Sequence, residues 1–318
     1  MICSSIPNNT YLHLQGLPLR QALFFIAHFF KAITMYLKIA IQKSGRLYDD
    51  SIKLLKECGI EINNGMNQLR TRAFNFPLEI LFLRDDDIPQ YVQDEVADIG
   101  IVGENVLLEK NNDVLLTERL GFGRCRLSLA VPRNEPYTNI QSLQDKKIAT
   151  SYPVLLQNYL FRHQVAAEIH VISGSVEIAP GIGLADAICD LVSSGSTLFQ
   201  NGLKETDIIL QSEAVLISNQ HLSAEKIKLL QQLQFRMQAV KKAKRYKYIL
   251  LNAPNASLPE ICRIIPGMKS PTILPLSTPG WSSLHSVVQE DEFWNIIAQL
   301  KTEGAEGILV IPIEKMIA

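Results

Sequence analysis

Residues 184–198 read LADAICDLVSSGSTL. Ala187, Ile188, Leu191 and Val192 make a short apolar strand that runs straight into S-S-G-S-T. A buried apolar run closed by a small-residue turn reads as strand, turn and helix of an α/β fold. Ser193, Ser194, Ser196 and Thr197 offer hydroxyls, and Gly195 lets the backbone approach a ligand closely. Successive backbone N–H groups in such a turn form an anion-binding concavity. No lysine precedes the Ser/Thr, so this is not a Walker A loop, and it suits one terminal phosphate better than a triphosphate. Asp190, just upstream, offers a carboxylate to sugar hydroxyls or to a magnesium ion held with them. The plainer reading, a polar turn with Asp190 as a local cap, stays open at this point.

Working outward, the same alternation fills the chain from Met35. The pattern predicts strands at 36–41, 78–83, 97–102, 127–131, 147–150, 169–172, 187–192 and 214–218. Helices fall at 49–58, 88–95, 153–163 and 223–244, where Leu230, Leu233, Met237 and Val240 step by three and four. This spacing implies an α/β protein with largely parallel sheets. Residues 35–130 form one lobe, completed by about 214–244, and residues 131–213 form a second lobe that holds the serine-rich turn. Residues 245–318 change character: strand, helix, two strands, helix and strand give β-α-β-β-α-β, the ferredoxin-like order.

Several further residues stand where chemistry is expected. Lys43 and Arg46 lie in the loop after the first strand, and open α/β sheets bind ligands at the carboxyl ends of strands. Arginine there can grip a phosphate through two hydrogen bonds. Arg84-Asp85-Asp86-Asp87 ends another strand and reads as a helix N-cap with flanking acids rather than a metal site. Asp98 and Gly103 lie along the strand ADIGIVGEN, and Gly100 and Gly103 mark close backbone approach. Glu177 is a second acid on a small-residue turn upstream of Asp190, and the two would suit a magnesium–substrate complex. No G-x-S-x-G or H-E-x-x-H is present, and His163 and His170 show no metal-ligand spacing.

Composition narrows the classes. Lysine plus arginine is 31 against 32 acids, so the net charge of −1 excludes a protein that coats nucleic acid. Five scattered cysteines with no C-x-x-C argue against a disulfide framework and for a reducing compartment. Residues 1–34 stand apart, with Arg20 and Lys31 and no acid. Their apolar run LFFIAHFF is far shorter than the ~20 residues that span a bilayer, so no membrane partner is expected. It also fits a signal peptide poorly, and translation starting at Met35 is the better reading, ahead of an anchor or a genuine extension.

Together QKSGRL, RDDDIP, ADIGIVGEN, GRCRLSLA, KKIATSYP, SGSVEIAP, LADAICDLVSSGSTL and PTILPL resemble the long form of ATP phosphoribosyltransferase, from about Tyr36 to the C-terminus. The resemblance implies a two-lobed, periplasmic-binding-protein-like catalytic body with a ferredoxin-like regulatory domain. It implies a magnesium-dependent reaction in which a ring nitrogen of ATP attacks the anomeric carbon of phosphoribosyl pyrophosphate (PRPP) and pyrophosphate leaves. This would be the first step of histidine biosynthesis, in the cytoplasm. By motif matching, residues 190–197 are the PRPP loop. Ser193, Gly195 and Thr197 take the 5-phosphate, with Ser194 and Ser196 less essential because relatives vary there. Glu177 and Asp190 take ribose hydroxyls or magnesium, Lys43 and Arg46 meet phosphates or nucleotide, and Asp98 lies in the nucleotide cleft. The family is inhibited by histidine, and the matching wall here is Asn252, Met268, Thr272 and Gly307. A relative carries an acid in place of Asn252, so the strength of inhibition is expected to differ. Homodimers and homohexamers are implied. A transport receptor on the same two-lobed body would be secreted and leaves S-S-G-S-T unexplained. A non-catalytic regulatory paralogue would have lost the loop acids, yet Glu177 and Asp190 are both present.

Overall fold

The computed structural model describes residues 35–62, 68–265 and 267–317; the expectation for residues 1–34 lies outside them. Lobe I begins with β1 (Leu37–Gln42), α1 (Arg46–Glu57), β2 (Arg70–Arg72), β3 (Leu78–Leu83), α2 (Ile88–Gln93), β4 (Ile99–Gly103), α3 (Glu104–Lys110) and β5 (Leu115–Arg119). The chain then crosses to lobe II at β6 (Cys125–Pro132), earlier than the expected boundary at residue 131 because all of this strand pairs in the second sheet, and continues with β7 (Lys147–Thr150), α4 (Pro153–Arg162), β8 (Glu168–Val171), β9 (Ala187–Val192), α5 (Ser196–Gln200) and β10 (Leu203–Ser212). It returns through β11 (Ala214–Ser218) and α6 (Ala224–Ala243) to lobe I.

The lobe I sheet has the order β2-β3-β1-β4-β11-β5, and the lobe II sheet β10-β6-β9-β7-β8. Among the described residues, only β3-β1-β4 and β8-β7-β9 are parallel. The expected largely parallel sheets are therefore mixed. Strands that carry the chain out of a lobe and back run against its parallel core, as β11 does beside β4 and β6 beside β9. Two crossings between two sheets give the two-lobed body that the sequence implied.

Each sheet is packed on both faces. Leu37, Ile39 and Ile41 of β1 face one cluster with Leu54 and Leu55 of α1 and Leu233 and Met237 of α6, while Ala40 faces Ile88, Val92 and Val102. Burying each large aliphatic side chain contributes about 1.5–3 kcal/mol. A Cβ on Gly100 would lie 2.6 Å from Ile88 Cγ2, so this glycine exists for the packing of α2 on β4.

A third unit holds β12 (Tyr246–Pro254), α7 (Leu258–Ile264), β13 (Thr272–Pro275), β14 (Trp281–Gln289), α8 (Glu290–Thr302) and β15 (Glu306–Pro312). Its sheet has the order β13-β14-β12-β15 and is antiparallel throughout, the strand order of a ferredoxin-like unit. Ile249, Leu251, Ala253 and Leu284 pack under Ile261, Phe293 and Leu300 of the helices. The opposite face leaves Leu274, Leu309 and Ile311 exposed.

A candidate active site between the lobes

The turns at the carboxyl ends of β1 and β9 meet between the lobes, and the cleft is the space they border. In lobe I, Gly45 has φ +92°, which ends β1 sharply and starts α1 at Arg46 rather than at Asp49. Lys43 and Arg46 are exposed at that end, and the Lys43 N–H bonds to Leu83 O of β3 at 2.8 Å. In lobe II, β9 ends at Val192, and Gly195 at φ +81° turns the chain into α5. Arg46 Nη1 donates to Ser193 Oγ at 3.2 Å, so the two expected phosphate elements meet across the lobes.

Further contacts join the two lobes. Asn105 Nδ2, just after β4, donates to Tyr152 Oη at 3.1 Å. Both oxygens of Glu109 accept N–H groups at the start of α4, from Val154 and Leu155, at 2.9 Å each. Ser212, the last residue of β10, donates through Oγ to Asn105 Oδ1 at 2.9 Å. The return crossing is thereby tied to the cleft wall.

The acids around the cleft are perturbed. Burial pushes the Asp190 carboxyl up to about 6; a bond from the Leu191 N–H opposes that, and the charge of Glu177 adds to it. Asp85 rises to about 6 through burial and the neighbouring Asp86. Its Oδ1 is buried without a hydrogen-bond partner. Tyr152 is raised by burial and by the charges of Asp190, Asp85 and Asp86, which places acids of both lobes around one hydroxyl. Asp85–Asp87 forms a short 3-10 turn, and neither Arg84 nor Asp87 makes a side-chain cap bond. Asp87 takes the N-cap position of α2, as the sequence reading expected, but without a side-chain cap bond, while Asp85 lies with Asp190 around the Tyr152 hydroxyl. The signal for Asp85 was a charged cluster at the carboxyl end of an apolar strand.

The turn itself is exposed at Ser193, Ser194, Ser196 and Thr197. Ser194 Oγ and Ser196 Oγ bond to each other at 2.9 Å, so these two hydroxyls are occupied within the turn. Among the described residues, the N–H groups of Ser194, Gly195 and Thr197 donate to nothing. Glu177 lies in a 3-10 turn entered through Ser175 at φ +49°, near enough to Asp190 to act on it electrostatically.

Asp98 is elsewhere. It is 4% exposed and lies at the amino end of β4, where Oδ2 accepts the Lys38 N–H at 2.7 Å and Oδ1 pairs with Lys226 Nζ at 2.6 Å. Lys38 is the second residue of β1, so four steps of ~3.3 Å along the strand separate it from the cleft end at Gln42. The expectation of Asp98 in the nucleotide cleft is corrected, because it sits at the wrong ends of the strands and locks α6 to the sheet.

In the third unit, Asn252 on β12 pairs with Ser283 and Glu306. Gly307 has φ +57°, and a Cβ there would lie 3.4 Å from Asn252 Nδ2. Thr272 on β13 faces His285, one register pair from Leu250. Met268 is set apart from Asn252: it lines a cavity of about 320 Å³ with Tyr246, Ile265 and Val288, at the other end of β12.

Residues 84–239 match the family described as HisG: ATP phosphoribosyltransferase, and residues 243–315 match the HisG C-terminal domain. The ATP phosphoribosyltransferase of Cytophaga hutchinsonii is 59% identical over 281 residues, 88% of this chain and 98% of that one. The chain belongs to the ATP phosphoribosyltransferase family. The relative from Parabacteroides distasonis is 57% identical over 88% of this chain and 99% of its own. A solved ATP phosphoribosyl transferase (HisG:HisZ) complex from Thermotoga maritima aligns with a TM-score of 0.55 at 29% identity, covering 64% of this chain and 98% of that one. The C-terminal family domain makes this an ATP phosphoribosyltransferase of the long form. The enzyme acts at the first step of histidine biosynthesis, with ATP and PRPP as substrates.

Proposed function

We propose that PRPP lies across the cleft with its 5-phosphate in the turn at residues 193–197. The carrying observation is the Arg46–Ser193 hydrogen bond, which brings a guanidinium to the mouth of a turn where the Ser194, Gly195 and Thr197 N–H groups meet no acceptor among the described residues. Gly195 and Thr197 take the phosphate with those N–H groups and the Thr197 hydroxyl. Asp190 takes ribose hydroxyls, and Lys43 and Arg46 meet the phosphates of either substrate.

Magnesium fits as a partner of the substrate rather than of the protein alone. Among the described residues no three metal-ligating side chains cluster, while Asp190 and Glu177 provide two neighbouring carboxylates. Magnesium keeps waters and binds one or two carboxylates plus substrate phosphates, which matches that donor set. When bound, it neutralises charge on the leaving pyrophosphate. The chain's own work is to align the adenine ring nitrogen with the anomeric carbon and to hold the departing anion. The attacking nitrogen is unprotonated near neutral pH, so no strong base is needed to start the reaction.

The third unit is the site of feedback inhibition by histidine, at a wall built from Asn252, Thr272 and Gly307, with Met268 brought to it only if the loop before β13 rearranges. The exposed apolar face of its sheet supports burial in a homodimer or homohexamer. The same reading places the enzyme's work in the cytoplasm; no helix among the described residues is long and apolar enough to cross a membrane. One assay tests the reading: purified protein with ATP, PRPP and magnesium, with and without histidine. Failure to form phosphoribosyl-ATP overturns it, and turnover indifferent to histidine overturns only the regulatory part.

A further inference from the structure

The start of the serine-rich turn is held by a second arginine that the substrate reading does not use. Arg126 lies near the start of β6, opposite Val192, the last residue of β9. Its Nε and Nη2 both bind the Glu205 carboxylate on β10, and Ser128 Oγ donates to the same carboxylate at 2.7 Å. These bonds hold Glu205 below the usual carboxylate range. The remaining nitrogen, Nη1, donates to the Ser193 carbonyl at 3.1 Å. A guanidinium fixed in a two-point bond has one direction left for its third nitrogen. Ser193 is thus gripped twice, at its carbonyl by Arg126 within lobe II and at its hydroxyl by Arg46 from lobe I.

The geometry of the peptide gives this grip a consequence. The Ser193–Ser194 peptide is trans, so the Ser194 N–H points opposite the Ser193 carbonyl. Fixing the carbonyl toward Arg126 turns the Ser194 N–H to the side away from Arg126, where it meets no acceptor among the described residues. We propose that Arg126 is a positioning residue for PRPP, holding the Ser193 carbonyl so that the N–H groups of the turn are aimed at the 5-phosphate before the substrate arrives. This rests on residues 190–197 being the phosphate turn.

The test compares KM for PRPP with KM for ATP. The double variant Arg126→Met/Glu205→Gln removes the guanidinium together with its carboxylate, leaving no unpaired charge. It should raise KM for PRPP about tenfold, the scale of one lost charge-assisted hydrogen bond. KM for ATP should stay within about twofold, because binding of ATP does not use that peptide. Glu205→Gln alone keeps the guanidinium and should move KM for PRPP less. Arg126→Lys restores one donor and should recover part of the loss; if the double variant does not fold, Arg126→Lys decides on the same comparison against wild type. Asp190→Asn and Thr197→Val run alongside. If they raise KM for PRPP and the Arg126 variants do not, or if KM for both substrates rises together, the positioning role is overturned and the phosphate turn stands. If Asp190→Asn and Thr197→Val leave KM for PRPP unchanged, the phosphate turn itself has failed and the inference with it.

Discussion

Arg46 and Ser193 lie 147 residues apart, one on each lobe, and their side chains meet at 3.2 Å. The bond is exposed, so on its own it adds little to stability. Its value is placement, since it sets a fixed cation at the mouth of a turn where the Ser194, Gly195 and Thr197 N–H groups meet no acceptor among the described residues. Arg46→Gln should therefore leave the melting temperature within a degree or two of wild type, as surface changes do. KM for PRPP should rise about tenfold, the cost of one charged hydrogen bond. Steady-state kinetics with PRPP varied at saturating ATP checks this, and an unchanged KM removes Arg46 from the phosphate site.

Asp190 should matter more than any hydroxyl of the turn. Asp190→Ala should lower kcat/KM for PRPP by about 100-fold or more, the scale of a lost transition-state contact. The wild-type carboxyl is raised to about 6, so activity that needs it ionised should fall as pH drops through about 6. Glu177 contributes to that rise by its charge. Glu177→Gln should then move the acid limb of the kcat/KM profile to lower pH, whatever it does to the plateau. A limb that stays in place means another group controls it.

Asp85 carries a cost that its location explains. Its folded-state value of about 6 lies above the ordinary 3.8, so its contribution to stability is greatest below pH 4 and is lost as pH rises through 6. Asp85→Asn removes that loss, and should stabilise the protein at pH 7.5 by on the order of 1–2 kcal/mol. At pH 4 the gain should vanish. Thermal unfolding of both proteins at the two pH values measures it, and equal melting differences at both would show that Asp85 is not a buried, charged group. A gain in stability with a fall in activity would mark strain kept for function.

What could be read from the chain was local. The run from Ala187 through Thr197 specifies strand, turn and helix within eleven neighbours, and it folds that way. Arg126 and Glu205 are 79 residues apart, and their strands pair antiparallel through two register irregularities. β10 reads L-K-E-T-D at its start, too polar to announce a strand, so nothing in the sequence placed Glu205 beside Arg126. Asp98 shows a different limit. Asp98 stands at the start of its strand, so chain direction and the carboxyl-end rule already set it away from the ligand, a signal the motif match overrode. Met268 and Asn252 belong to one expected wall, yet the register of β12 with β14 sets them at opposite ends.

Asp98 then gives a clean contrast with the cleft acids. Removing it leaves the Lys38 N–H and the Lys226 ammonium without their shared carboxylate. Breaking a buried pair on one side costs about 3 kcal/mol. Asp98→Ala should lower the denaturant midpoint accordingly, while the folded fraction keeps KM for both substrates. A change in KM for ATP without loss of stability would return Asp98 to the nucleotide site.

The third unit offers a substitution that should strengthen control rather than weaken it. Asn252 presents an amide where an acid would pair with the ammonium of an amino-acid inhibitor, and a charge-assisted bond is roughly twice as strong as a neutral one. Asn252→Asp should reduce the histidine concentration for half-inhibition by about tenfold, one charged hydrogen bond in place of a neutral one. KM for ATP and PRPP should not move, because Asn252 lies on the third sheet and not at the cleft. Gly307→Ala should act in the opposite sense. It forces a side chain onto a backbone at φ +57° and sets a methyl 3.4 Å from the Asn252 amide nitrogen. Inhibition should weaken while turnover without histidine is retained. If both variants respond to histidine as wild type does, the inhibitor does not bind at this pair.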